Sequence, residues 1–152
     1  MHKYILFIFL LLTPFFGWSQ TGSEIETLLA TPNITYAQAA RLVLEASEAA
    51  VFANPEEAFR FAAGRGWLPK KAASNGTAQL GGIALLLMRS FDLKGGVIYR
   101  SVKNAHYAFR DIVWLGLTRG QRDPAAKVSG GDLLYMVNRL LALKEDEAGE
   151  TR

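Results

Sequence analysis

Residues 106–141, HYAFRDIVWLGLTRGQRDPAAKVSGGDLLYMVNRLL, read as helix, glycine stop, polar loop and apolar helix, and residues 56–91, EEAFRFAAGRGWLPKKAASNGTAQLGGIALLLMRSF, follow the same plan. Shifted by about fifty positions, a period in the range of helical repeats, Ala58, Phe59 and Arg60 fall on Ala108, Phe109 and Arg110, Gly66 on Gly116, and Arg89 on Arg139. A unit of that size is too small to bury its own apolar face and stacks on its neighbour. The expectation is an all-α domain of five main helices, made of two units (about 56–93 and 106–143) and a leading half-unit at 34–50.

The rest of the chain bounds compartment more sharply than chemistry. Residues 1–20, MHKYILFIFLLLTPFFGWSQ, join a short basic start at His2 and Lys3, an apolar run and a proline break, the pattern of a secretory signal peptide ending near Ser19 or Gln20. The run is shorter than the roughly 20 apolar residues of a spanning helix, so the expected product is exported, periplasmic or at the cell surface, with no integral span after cleavage. There is no cysteine, which excludes disulfides, cysteine-ligated metals and lipid attachment at a thiol. Without Lys3, 16 basic residues face 14 acidic ones. An excess near +2 is too small to argue by itself for nucleic acid or an anionic membrane.

Helix starts are written in local chemistry. Ser23 with Glu26 has the spacing of a capping box before a short helix, and Thr35 with Gln38 opens a helix expected over 36–49. Asn54-Pro55-Glu56-Glu57 combines an N-cap, a first-position proline and an acidic first turn. That helix stops at Gly64-Arg65-Gly66, and Gly116 stops its counterpart. The segment 80–91 is apolar nearly all round, which places it in the middle of the core, beside a last helix over 131–143 capped by Ser129 and Asp132. Val97-Ile98-Tyr99 reads as a brief extended or turn linker, residues 20–33 as a lead-in, and 144–152 as a frayed charged tail.

This order of parts resembles the S-layer homology family, whose modules pair a helix rich in alanine and aromatics with a glycine-bearing loop and a second helix introduced by a motif of the type Ile-Thr-Arg-Ala-Glu. The corresponding introductions are Ile34-Thr35-Tyr36-Ala37-Gln38 and Val128-Ser129-Gly130-Gly131-Asp132, and the first helices correspond in Ala58-Phe59-Arg60 with Gly66-Trp67-Leu68 and in Tyr107-Ala108-Phe109 with Leu115-Gly116-Leu117. The resemblance implies the family's scaffold over residues 34–143. In the family the motif's arginine and acidic residue help to hold an anionic cell-wall glycan. Here Tyr36 and Gln38 stand in the first copy, Gly130 and Asp132 in the last, and the middle copy around 78–82 has neither charge.

Other basic residues are candidates for an anion: Lys70 and Lys71 in the first loop, Arg119, Arg122 and Lys127 in the second, with Asp132 at the end of the last introduction. Stacking the units would bring both loops to one end; the plainer reading is a solvated loop surface. Trp67, Trp114, Phe59, Phe61, Tyr107 and Phe109 are expected in the core between units, or stacked on sugar rings if exposed. Catalysis finds no constellation, for His106 is the one histidine after the leader and the serines lie outside any nucleophile-elbow pattern. A hydrolytic enzyme would need a pocket joining His106 to an acid. The expected partner is an envelope protein or an anionic envelope glycan, with no cofactor, no metal and no nucleic acid.

Overall fold

A computed structural model describes residues 19–150, and the side chains of 22–149. The leader assigned to residues 1–19 therefore lies outside the described residues, apart from Ser19. The described chain is all-α, with α1 Ser19–Leu29, α2 Tyr36–Ala46, α3 Pro55–Gly64, α4 Leu80–Ser90, α5 Val97–Val102, α6 Ala105–Trp114 and α7 Gly130–Glu150. None of these helices is long and apolar enough to cross a membrane.

The caps form where short-range chemistry places them. Thr35 and Gln38 close a reciprocal capping box on α2, and the Asn54 side chain accepts the Glu56 N–H ahead of α3. α3 and α6 end alike. Gly66 (φ +68°) and Gly116 (φ +69°) are left-handed; the Trp67 and Leu117 N–H groups reach back to the Ala62 and Ile112 carbonyls, and the glycine N–H groups to the Ala63 and Val113 carbonyls. A Cβ at either glycine meets open space, so only the backbone conformation resists substitution. Gly66→Ala and Gly116→Ala are each expected to lower unfolding free energy by about 1–2 kcal/mol, equally within error, as read by urea melts of the two variants.

Three expectations about local structure need correction. Ser23 lies inside α1 rather than at its start, and the Thr27 hydroxyl donates to the Ser23 carbonyl within the helix. Residues 97–99 belong to a helix rather than a linker: burial of Tyr99, 3% exposed, and the bond from the Gly96 N–H to Asp111 Oδ2 (2.8 Å) hold a helical turn against α6. Residues 144–150 continue α7, since lysine, glutamate and alanine are good helix formers and the Lys144 ammonium donates to the Phe91 carbonyl at 2.9 Å.

Packing departs from sequence order. α3 lies chiefly on α2, α6 on α4, and α1 on α7, so α3 and α6 each pack on the inner helix that precedes them rather than on the one their own loop leads to. α1, from the start of the described chain, takes that place on α7. A Cβ at Gly130 would fall on the Leu28 carbonyl, which explains a glycine where α1 meets α7. α4 is buried on every side, with Leu80, Ile83, Leu86, Leu87 and Met88 almost wholly covered.

Candidate functional site

The three inner helices begin at one point. Ile34, Ala78 and Val128, each fully buried, precede α2, α4 and α7. The Ala78 N–H donates to the Ile34 carbonyl (2.8 Å), the Val128 N–H to the Ala78 carbonyl (3.1 Å), and the Ile34 N–H to the Val128 carbonyl (3.0 Å). Each residue gives one bond and receives one, so the ring closes without an edge and satisfies backbone groups that have no access to water.

The loops leading into the ring lie over its helix starts. Gly76 and Ser74 carbonyls accept the Tyr36 and Ala37 N–H groups of α2; Ala126 and Pro124 carbonyls accept the Leu80 and Gly81 N–H groups of α4; the Thr31 carbonyl accepts the Gly130 N–H of α7. The leading donors of α2 and α4 that could meet an anion are thus taken by loop carbonyls, at Tyr36 and Ala37 and at Leu80 and Gly81.

Six residues were expected to hold an anion, and the structure draws two of them together. Arg119 Nη1 lies 3.9 Å from Asp132 Oδ1, with its guanidinium 4.6 Å from the Tyr135 ring centre. Asp132 also accepts the Ser129 hydroxyl at 2.7 Å, while Ser129 Oγ accepts the Asp132 N–H, so this carboxylate is committed to starting α7. Lys70, Lys71, Arg122 and Lys127 are exposed, and none of the four side chains forms a hydrogen bond or ion pair among the described residues. Both loops cover starts of helices joined by one ring, although no hydrogen bond or ion pair among the described residues links the Lys70 or Lys71 side chain to the second loop. Tyr36 is buried, and its hydroxyl accepts the Gln79 N–H (3.3 Å). A side-chain Cβ at Gly82 would strike that phenol, a reason for the small residue there.

The aromatics divide. Phe109 is in the core, and Trp67 is half-buried with its ring edge-on to Phe61. Trp114 is 85% exposed, against the expectation of a core position. Ala108, Phe109 and Ile112 define the buried side of α6, and at about 100° per residue Trp114 falls nearly opposite them. His106 is exposed with Tyr107 as its ring neighbour at 5.2 Å.

Two clefts and two unpartnered polar atoms were not apparent from the sequence. A cleft of about 460 Å³ runs between α1 and α2, roofed by Leu28 and Leu42, and Arg41 bridges it by pairing with Glu24 (2.9 Å) and donating to the Phe52 carbonyl (3.1 Å). A smaller one of about 280 Å³ separates the start of α5 from Tyr107, Arg110 and Asp111. Near it the Tyr99 hydroxyl and Arg89 Nε are buried without partners. Burial pushes the Tyr99 phenol above its usual pKa, Arg89 opposing and Asp111 and Asp92 adding to the rise. Among the described residues, no group of three or more histidine or acidic side chains is placed to hold a metal ion. Comparison with family models, curated proteins and solved structures finds no match for this chain.

Proposed function

We propose that this chain is an exported, non-enzymatic binding module of the cell envelope, built on three helix-start units in the manner of S-layer homology domains, which recognises an anionic partner at the ring end. The ring of Ile34, Ala78 and Val128 carries the reading. It ties three introductions of the same kind into one rigid centre and lays the two basic loops on adjoining helix starts. Rigid support of this sort suits loops that recognise rather than react. The recognising groups are Lys70, Lys71, Arg122 and Lys127, with Arg119 held ready over Tyr135. An acidic envelope protein and an anionic envelope glycan present the same chemistry to these cations.

Cosedimentation with isolated envelope polymer and, separately, with envelope protein extract at low and high salt tests this reading. The expected result is salt-sensitive binding in one arm, weakened at least tenfold by Arg122→Glu with Lys127→Glu, since several exposed ion pairs of up to about 1 kcal/mol each are inverted. Binding that ignores both salt and these substitutions would refute recognition at the ring end. The arm that binds identifies the partner class.

A further inference from the structure

We propose that the face formed by α5 and α6 docks on an anionic phospholipid surface. Four large apolar side chains stand in water on this pair: Val97, Ile98, Val102 and Trp114, the first 71% and the last 85% exposed. They are not the outcome of a loose segment. Tyr99 plants the inner side of α5 in the core, Asp111 grips the Gly96 N–H, and Gly95 is left-handed (φ +56°) where a Cβ would strike both Tyr99 and Asp111. The apolar side chains are therefore held outward by the fold.

Charge selects the occupant. Lys94, Arg100, Lys103 and Arg110 lie on or beside the same two helices, Arg110 lining the small cleft with Val97 and Ile98, all exposed and none engaged in a hydrogen bond or ion pair among the described residues. Asp92 and Asp111 are the acids in the same stretch, and Asp111 is held by Gly96. Apolar residues with a tryptophan, framed by unpaired cations on an exposed helical face, match the two-layer chemistry of a bilayer interface, with acyl boundary below and anionic headgroups above. A sugar site fits less well, because the aliphatics bring no hydrogen-bonding groups to meet hydroxyls. None of the side chains named on this face is among the cations assigned to the ring end, so the inference does not rest on the envelope-partner reading.

The test uses the full chain with Trp18→Phe and Trp67→Phe, leaving Trp114 as the reporter. It is mixed with vesicles of phosphatidylcholine and phosphatidylglycerol, or of phosphatidylcholine alone, each containing brominated acyl chains. We expect Trp114 emission to shift blue and be quenched on the anionic vesicles at low salt, with much less effect on the neutral ones. Lys103→Gln should weaken binding about fivefold, and Val97→Ser with Ile98→Ser should abolish the quenching. The apolar run near the N-terminus is common to all variants and cannot produce a difference between them. Unquenched Trp114 would overturn the proposal, as would quenching that survives these substitutions. A blue shift that depends on protein concentration without lipid, pointing to a second copy, or a response to soluble envelope glycan but not to vesicles, would overturn it too.

Discussion

Ala78→Pro is expected to destabilise the domain by about 3 kcal/mol or more, while Ala78→Gly costs about 1 kcal/mol. The two variants separate the ring from the side chain. Glycine keeps the N–H that bonds the Ile34 carbonyl and gives up only a buried methyl and some chain entropy; proline removes the N–H and sets a ring carbon against that carbonyl. Because Ala78, Ile34 and Val128 are all inaccessible to water, the abandoned carbonyl has no replacement donor. Each ring member is both donor and acceptor, so the damage should reach the starts of α2 and α7 as well as α4. Chemical denaturation gives the free energies, and amide exchange should show lost protection at Ile34 and Val128 in the proline variant alone. Equal losses in the two variants would mean that the ring is incidental to stability.

The same ring shows where sequence reasoning stops. Caps and stops are contracts between residues three or four apart, so Thr35 with Gln38, Asn54 ahead of Pro55, and Gly66 and Gly116 at two helix ends were legible from the chain alone. Bonds between Ile34, Ala78 and Val128 join positions remote in sequence and leave no local mark beyond three similar helix introductions. Nor does order along the chain reveal that α1 closes on α7. Trp114 was misplaced for a related reason: composition counts aromatics as core material, whereas its register on α6, fixed by Ala108, Phe109 and Ile112, turns it to solvent. Of the basic candidates, the residues were readable but their commitments were not. Asp132 is drawn into its own helix cap and Arg119 onto Tyr135, two contacts that depend on how the second loop settles over α7.

α4 offers the other large effect, and a test of architecture rather than of one contact. Leu86 and Leu87 are both completely buried although they point about 100° apart around the helix. On an amphipathic helix one of two such neighbours stands nearer to solvent and tolerates truncation; on a helix enclosed by others both leave cavities. Leu86→Ala and Leu87→Ala should therefore each cost about 2–5 kcal/mol, the range set by how far the surroundings relax into the void. α2 supplies the contrast within the same fold, since Leu44 is fully buried while its neighbour Glu45 is exposed, and Glu45→Ala should stay within about 0.5 kcal/mol of the parent. Thermal and urea unfolding of the three variants decides the matter. Comparable large losses at both leucines require α4 to be enclosed from more than one side, α6 and α2 being the helices packed on it. A small loss at either leucine would open one side of α4 to water and remove the central helix around which the other elements are placed.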